Sequence, residues 1–344
     1  MAAKLKILVV DDSAFMRLLI TDLLSEDKEI EVAGTAINGL EAIEKTAELK
    51  PDIVLLDLNM AEYDGLYAVK GIMQKNPTPI LILSSVGNTD LQPVFEALKN
   101  GAVDYINKPD RNKSKMRELQ KELVQKIKST SRAKPKKIGP VKSKVKVVPR
   151  KRSRKSNYDL VAIGASTGGP TAIERIICSL PEDFDIPIVV CQHMPQVFIP
   201  QFVQRLDSLT ALEVVSATKG MSPAPGVVMF CPGHANLILK KVKGKVTVDF
   251  TDEVYPEYNN PSINAMMLSA AKVYGNRMVG VILTGMGKDG VKGMKAINEV
   301  GGKTIAQNKE SSVIYGMPKA ASEAGAIEAI LDIKDIGNYL VNNL

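Results

Sequence analysis

Three carboxylates in the N-terminal part of the chain lie at the ends of two predicted strands and could hold a hard divalent cation. Asp11 and Asp12 follow the apolar run Lys4–Val10, and Asp57 follows Ile53–Leu56. In an open parallel sheet the carboxyl ends of the strands share one edge, where sites form. Acidic oxygen donors suit Mg²⁺. A carboxylate beside such a cation can accept a phosphoryl group, because the metal neutralises the incoming charge.

Two further polar side chains end predicted strands in the same part of the chain. Ser84 closes the strand Pro79–Ser84, and Lys108 follows Val103–Asn107. A hydroxyl and an ammonium at this edge could hold phosphoryl oxygens. Each of these polar residues taken alone could be a helix cap or a solvated surface charge. Together, at the ends of four strands, they favour a phosphorylation site.

Residues 1–127 resemble a response-regulator receiver domain, which has a flavodoxin-like (βα)5 fold. The family usually has Met-Pro shortly after the phosphorylated carboxylate, whereas this chain has Met60-Ala61. This departure affects the stiffness of the loop rather than its chemistry, so we expect phosphorylation. The roles that the resemblance implies are phospho-acceptor for Asp57, Mg²⁺ ligands for Asp11, Asp12 and Asp57, switch hydroxyl for Ser84 and phosphate-contacting lysine for Lys108.

Composition is that of a globular protein with room for two domains. The chain has 344 residues, and domains typically contain about 100–200. No run approaches the ~18 apolar residues of a membrane span, and the N-terminus leads into a strand rather than a secretory signal. The three cysteines, Cys178, Cys191 and Cys231, have no metal-like spacing. We therefore expect a cytoplasmic protein that does not insert into membranes.

A strongly basic stretch separates the two predicted domains. Residues 128–155 contain nine Lys, four Arg and no acidic residue, and removing this +13 from the net charge of +7 leaves −6 on the rest. Like charges repel and its three prolines resist helix formation, so we interpret 128–156 as a mobile linker. The alternative is a basic arm for nucleic acid or anionic lipid. Because no aromatic side chain offers base stacking, we favour the linker and expect no nucleic-acid partner.

Residues 157–344 return to alternating strands and helices. This pattern predicts a doubly wound, mostly parallel α/β domain with an antiparallel β-hairpin insertion. We predict that Val227–Cys231, Asn236–Lys241 and Lys245–Phe250 are antiparallel strands, with Lys243-Gly244 as the turn between the last two.

Ser166 lies in a glycine-rich strand-to-helix turn that matches the pattern G-x-S-x-G. Such a turn can expose a nucleophilic hydroxyl, and it can also cradle a phosphate at a helix N-terminus. A dinucleotide site needs an acidic residue after the second strand. Here the second strand, Pro187–Cys191, is followed by His193 instead. This favours nucleophilic catalysis over phosphate binding.

A serine nucleophile needs a base, and the base needs a group that orients it. Of the two histidines, His193 is preferred because it follows a predicted parallel strand, whereas His234 lies in a turn between predicted antiparallel strands. Asp289 is the preferred orienting carboxylate, although it could instead be a helix cap. Asp249 and Asp252 belong to the predicted hairpin region and are weaker candidates. Cys191 lies close to His193, but a buried apolar role is favoured for this thiol.

The order Ser, His, Asp differs from the Ser, Asp, His order of α/β-hydrolases. With these residues, the second domain resembles the catalytic domain of the chemotaxis protein-glutamate methylesterases, the CheB family. Four strings carry the resemblance: Gly164-Ala165-Ser166-Thr167-Gly168-Gly169-Pro170, Gln192-His193-Met194-Pro195, Leu283-Thr284-Gly285-Met286-Gly287-Lys288-Asp289-Gly290 and Tyr315-Gly316-Met317-Pro318.

The resemblance implies an enzyme that demethylates glutamate methyl esters and deamidates glutamines on methyl-accepting chemotaxis receptors. It implies nucleophile, base and orienter roles for Ser166, His193 and Asp289, and it places Met286 at the active site, where its backbone amide is a further oxyanion donor. The amides at the helix start, Ser166 and Thr167, are oxyanion donors by their position. The resemblance also implies no cofactor in the catalytic domain, a chemotaxis histidine kinase as phosphodonor, and a receiver that covers the catalytic face until it is phosphorylated.

Three alternatives stay open. The same hydrolase chemistry could serve a sensory receptor outside motility. The chain could be a receiver-controlled scaffold with an inactive triad. A DNA-binding response regulator would need a helix-turn-helix or winged-helix output, and the alternation of strands and helices in residues 157–344 does not favour one.

Overall fold

The computed structural model describes residues 4–84, 91–108, 113–133, 135, 156–258 and 260–344, with only the backbone described for 113–119. The chain divides into two compact units, Met1–Lys142 and Ser143–Leu344. Most of the predicted linker lies outside the described residues. Its first three residues, Lys128–Thr130, are helical. The boundaries 1–127, 128–156 and 157–344 therefore stay a prediction.

The described residues of the first unit form a five-stranded parallel sheet with intervening helices. In chain order the elements are β1 (Leu5–Val10), α1 (Ala14–Ser25), β2 (Ile30–Ala36), α2 (Gly39–Leu49), β3 (Ile53–Asp57), α3 (Gly65–Lys75), β4 (Ile80–Ser84), α4 (Gln92–Lys99), β5 (Asp104–Asn107) and α5 (Lys113–Thr130). The strand order β2-β1-β3-β4-β5 is that of flavodoxin-like proteins. The predicted fold of this unit is confirmed.

The short apolar strands of this unit are buried because helices cover both faces of the sheet. Every residue of β3 and of β4 is buried, as parallel strands between two helical layers require. On one face, Ile7 and Leu55 share a buried cluster with Leu24 of α1 and with Leu123 and Ile127 of α5. The polar residues at the carboxyl ends of these strands are therefore attached to a closely packed apolar core.

The second unit contains a seven-stranded sheet and a separate two-stranded one. Its elements are β6 (Leu160–Ala165), α6 (Gly169–Ile177), β7 (Ile188–Gln192), α7 (Ile199–Leu209), β8 (Glu213–Ser216), β9 (Val227–Phe230), β10 (Asn236–Val242), β11 (Lys245–Thr251), α8 (Ile263–Tyr274), β12 (Met278–Ile282), α9 (Val291–Glu299), β13 (Lys303–Gln307), α10 (Met317–Glu323), β14 (Ala329–Leu331) and α11 (Ile333–Asn343). The strand order is β14-β13-β12-β6-β7-β9-β8, and every pairing in it is parallel. The predicted doubly wound α/β domain with a hairpin insertion is confirmed.

One strand differs from the prediction. β9 was expected to be antiparallel, but it pairs in parallel with β7 and with β8. Its run Val227-Val228-Met229-Phe230 is continuously apolar, which suits a central parallel strand better than one with a solvated face. Of the three strands predicted to be antiparallel, β10 and β11 are so, and they form the hairpin. The residues after β9, including His234, therefore leave the same edge of the sheet as those after β6 and β7.

Helix α8 closes the core between the hairpin and the main sheet. Its apolar side chains Met266 and Met267 share a buried cluster with Leu237 and Leu239 of β10. Ser262 caps the helix, since its hydroxyl accepts the Ala265 N–H at 3.3 Å. Within the described part of the chain, every helix is too short or too polar to span a bilayer.

Candidate functional sites

The three acidic residues of the first unit converge at the carboxyl ends of β1 and β3. One carboxylate oxygen from each of Asp11, Asp12 and Asp57 lies within 4.8 Å of the others. Asp11 and Asp57 are buried, whereas Asp12 is exposed. Nζ of Lys108 lies 2.7 Å from Oδ2 of Asp11 and 2.7 Å from Oδ2 of Asp57. A single ammonium between two buried carboxylates leaves negative charge in excess, which fits a site for a divalent cation.

Burial and the paired charges together shift the pKa values of this site. Burial raises the pKa of Asp57, and the hydrogen bond from Lys108 lowers it only in part. Burial alone would lower the pKa of Lys108, but its hydrogen bonds to Asp11 and Asp57 outweigh burial and raise it. Lys108 therefore stays charged between the two carboxylates. At Asp57 the ammonium of Lys108 offsets only part of the cost of burying the negative charge.

Helix α1 holds the loop that carries the acids. The Ser13 N–H donates to Oδ1 of Asp11 at 2.9 Å. Nη1 of Arg17 donates to the carbonyl oxygens of Asp11 and Asp12 at 2.8 and 3.0 Å. The helix cap is Ser13, whose hydroxyl accepts the Met16 N–H at 3.4 Å. Asp12 is therefore not needed as a cap and remains available to the acidic site.

Ser84 lies at the same edge, at the end of β4. It pairs in register with Asn107, the residue before Lys108. Its hydroxyl is buried and has no hydrogen-bond partner within the described part of the chain. The carbonyl oxygen of Ser84 accepts the Lys108 N–H at 2.6 Å. The structure thus brings all the predicted residues of this site to one edge of the sheet.

Ser166 and His193 leave neighbouring strands of the second unit at the same edge. The residues before them, Ala165 and Gln192, are direct partners in the parallel pairing of β6 with β7. The His193 N–H donates to the Ala165 carbonyl oxygen at 3.0 Å. The imidazole and the hydroxyl therefore originate from adjacent backbone positions, as a nucleophile and its base require.

The His193 ring is bound to a buried carboxylate. Nε2 of His193 lies 2.8 Å from Oδ2 of Asp289, and the two side chains are only 4% and 1% exposed. A neutral imidazole carries one N–H and one acceptor nitrogen. Because an ionised carboxylate can only accept, Nε2 carries the hydrogen. Nδ1 is then the ring nitrogen that can take a proton from a serine hydroxyl.

Asp289 is fixed by the first turn of α8. The helix N-terminus carries free N–H groups and a partial positive charge, both of which stabilise a carboxylate. Asp289 was weighed as a cap for its own helix, but α9 begins after Gly290 without a side-chain cap. Besides His193, its carboxylate accepts hydrogen bonds from Ile263 N at 2.7 Å, Asn264 N at 3.0 Å, Ser262 Oγ at 3.2 Å and Gly290 N at 2.9 Å.

The turn that carries Ser166 is held from two sides. Nε2 of Gln192 donates to the carbonyl oxygens of Ser166 and His193 at 3.0 and 2.9 Å. Oγ1 of Thr284 donates to the Thr167 carbonyl oxygen at 2.9 Å. Gly169 is required for this close approach, since a Cβ there would lie 1.9 Å from Oε1 of Gln192. The sequence places Gln192 in a motif but does not indicate that it bridges the two loops.

Thr167 and Met286 lie beside this turn. Thr167 is buried and immediately precedes Gly168, the N-cap of α6. Met286 follows Gly285, where a Cβ would approach Cβ of Ser166 to 2.6 Å. Both residues are therefore next to the nucleophile position, and their oxyanion role stays a prediction.

One face of the His193 imidazole is covered by an aromatic ring, which the sequence did not indicate. The Tyr258 ring stacks on His193, with 3.7 Å between centroids and 11° between planes. Tyr258 is itself 43% exposed. Tyr258 is far from His193 in the sequence and lies outside the motifs, so nothing in the sequence indicated this contact.

The weaker candidates have other surroundings. The exposed His234 ring lies 6.2 Å from the Phe250 ring between centroids. The prediction that His234 lies away from this edge is unsupported, because it requires an antiparallel β9 and β9 is parallel. Asp249 is paired with Lys240 at 2.9 Å and with Lys219 at 3.0 Å.

The remaining two candidates, Asp252 and Cys191, do not fit a catalytic role. Asp252 is exposed after β11. Burial raises the pKa of Cys191, and Cys231 raises it further, so Cys191 is an unreactive thiol.

The fold and the two sites define a response regulator whose output is an α/β domain with a hydroxyl, an imidazole and a carboxylate at one sheet edge. Residues 7–121 match the family model of the response regulator receiver domain. Residues 161–340 match that of the CheB methylesterase. The chain belongs to the CheB methylesterase family.

Full-length relatives agree with this assignment. The protein-glutamate methylesterase/protein-glutamine glutaminase of Archaeoglobus fulgidus is 41% identical over 99% of this chain and 98% of the relative. The protein of the same name from Thermotoga maritima is 40% identical over 98% of each chain. The crystal structure of the Thermotoga maritima CheB methylesterase catalytic domain matches with 39% identity and a TM-score of 0.53, covering 54% of this chain and 99% of that one. The family suggested by the four motifs is confirmed.

Proposed function

We propose that this protein is a phosphorylation-activated protein-glutamate methylesterase and protein-glutamine glutaminase that acts on methyl-accepting chemotaxis receptors in the cytoplasm. One observation carries the proposal: His193, next to Ser166 on the adjacent strand, is bound to the anchored carboxylate of Asp289 at 2.8 Å. Family membership makes glutamate methyl esters and glutamine side chains the substrates of choice. Both present an acyl carbon to the same nucleophile.

The chemistry follows from the ring nitrogens of His193. Oγ of Ser166 attacks the acyl carbon while Nδ1 of His193 takes the hydroxyl proton. Asp289 remains ionised and stabilises the imidazolium through Nε2–H. The imidazolium then protonates the leaving methoxide or amine, which departs as methanol or ammonia and leaves an acyl-serine. A water molecule, deprotonated by His193, hydrolyses the ester and restores the serine.

The negative oxygen of the tetrahedral intermediate needs donors that are already in place. The backbone N–H groups of Thr167 and Met286 are our candidates, since both residues flank Ser166. The turn is fixed by Gln192 and Thr284 through hydrogen bonds to carbonyl oxygens. These donors therefore need little reorganisation when the charge develops.

In the receiver domain we propose that Asp57 accepts the phosphoryl group from a chemotaxis histidine kinase. Asp11, Asp12 and Asp57 would hold Mg²⁺, which when bound neutralises phosphoryl charge. Lys108 and the hydroxyl of Ser84, which has no hydrogen-bond partner among the described residues, are available to contact phosphoryl oxygens. We further propose that the unphosphorylated receiver restrains the catalytic domain, and that phosphorylation relieves this restraint.

The test is methanol release from receptor-containing membranes with methyl-labelled glutamates, measured with and without a small-molecule phosphodonor. We expect Ser166→Ala and His193→Gln to abolish release while phosphorylation of Asp57 persists. His234→Gln is the matched control, because the chain has two histidines and this one lies against Phe250. Full activity in Ser166→Ala would refute the nucleophile assignment. A wild-type protein that is phosphorylated but releases no methanol would favour the scaffold alternative.

A further inference from the structure

The catalytic imidazole is held by two groups that act in different directions. Asp289 contacts one edge of the His193 ring through Nε2. Tyr258 covers one face, at 3.7 Å between centroids and 11° between planes. A single hydrogen bond fixes the position of one ring atom but lets the ring swing about it. A parallel aromatic ring at van der Waals distance removes that freedom.

The segment that carries Tyr258 is anchored on both sides of the residue. Oε1 of Glu257 is paired with Nζ of Lys292 at 2.7 Å. The Asn260 N–H donates to Oδ1 of Asn236 at 2.9 Å. Contacts of Glu257 and Asn260 therefore hold the chain on either side of Tyr258, although Tyr258 itself is 43% exposed.

We propose that Tyr258 is a positioning residue for His193, which holds the imidazole plane and stabilises its charged form during proton transfer. This inference rests on the proposed hydrolase function. The face of an aromatic ring attracts a cation through its quadrupole, most strongly where water is excluded. His193 is 4% exposed, so the imidazolium formed when Ser166 loses its proton has few water contacts. The face of the Tyr258 ring substitutes for part of that solvation.

Two substitutions distinguish the effect of the aromatic ring from the effect of the hydroxyl and from the effect of excluding water. Tyr258→Phe keeps the stacked ring, whereas Tyr258→Leu keeps an apolar cover without a π face. We expect Tyr258→Phe to retain kcat within about twofold and Tyr258→Leu to lower kcat on the order of tenfold, with KM for the receptor unchanged. Val254→Ala is the control for changes to this segment, since Val254 is 74% exposed.

A second measurement does not depend on activity. The ring C–H protons of His193 should resonate upfield in the wild-type NMR spectrum because of the Tyr258 ring current. They should move downfield in Tyr258→Leu and stay in place in Tyr258→Phe. With only two histidines in the chain, His234→Gln completes the assignment.

Several results would overturn the inference. A rise in KM at constant kcat would make Tyr258 a docking contact for the receptor. Equal losses in the Phe and Leu variants would assign the effect to the hydroxyl. Unchanged His193 resonances in Tyr258→Leu would exclude the stack. A wild-type protein without methanol release would refute the proposed function, and the spectra would still decide the positioning role.

Discussion

Replacing Asp289 with Asn tests the centre of the site with an almost isosteric change. The Asp289 carboxylate accepts five hydrogen bonds, two at Oδ2 and three at Oδ1. The amide nitrogen of Asn would face N–H donors at either position. At Oδ2 it meets two donors rather than three, and one of them, the imidazole, can become an acceptor, so we expect the amide nitrogen to face His193 and the Ile263 N–H.

This orientation of the amide selects the other tautomer of the imidazole. A donor opposite Nε2 requires Nε2 to be the acceptor, so the hydrogen moves to Nδ1 and the base can no longer take the serine proton. The equivalent change in a serine protease triad lowers kcat about 10⁴-fold, which corresponds to about 5.5 kcal/mol of activation free energy. The lost charge-assisted bond from the Ile263 N–H should also lower the free energy of unfolding by roughly 2 kcal/mol.

The assay pairs methanol release with urea unfolding, so that a loss of activity is not mistaken for a loss of fold. Asp252→Asn is the matched control, since Asp252 is an exposed carboxylate of the same unit. A folded Asp289→Asn protein with less than about a tenfold loss of kcat would refute the role of this carboxylate in selecting the tautomer.

Three other changes test separate parts of the structure. Gln192→Met removes the hydrogen bonds to the Ser166 and His193 carbonyl oxygens; we expect roughly 2 kcal/mol of lost stability in urea and a lower kcat, and unchanged values would contradict the bridge. Gly169→Ala should inactivate the enzyme, because the new Cβ would lie 1.9 Å from Oε1 of Gln192; normal methanol release would show that the turn can relax. Asp57→Asn should stabilise the receiver at neutral pH, because burial raises the pKa of Asp57 and its ionisation opposes folding. This last gain should shrink as pH falls towards 3.8, the ordinary value for aspartate, and amide hydrogen exchange of β1 and β3 in the full chain measures it. A gain that grows as pH falls would reverse the assigned direction.

The positions of Asp11, Asp57, Ser166 and His193 could be predicted because topology alone determines them. Residues at the carboxyl ends of parallel strands meet at one edge whatever the loops do. The sheet order places β6 beside β7, so adjacency followed once the strands were recognised. Asp289 was predicted from the loop that follows β12.

The errors arose where structure depends on distant partners. β9 was given the wrong direction because its parallel neighbour β8, Glu213–Ser216, is short and was not recognised. The donors to Asp289 come from the start of α8, more than twenty residues earlier in the chain. The stacking of Tyr258 on His193 depends on the path of an irregular segment, for which local sequence preference carries no signal.

The attachment of α8 has a consequence for attempts to build a smaller hydrolase from this chain. The hairpin of β10 and β11 lies outside the main sheet and invites removal as a dispensable insertion. Yet Ser269 of α8 accepts the Leu239 N–H of that hairpin at 3.0 Å, and the first turn of the same helix grips Asp289. Removing the hairpin would leave α8 without its outer support. The Asp289 carboxylate, which is bound by the first turn of α8, would then lose its fixed position. A minimal version must keep this arm or redesign the outer face of the helix.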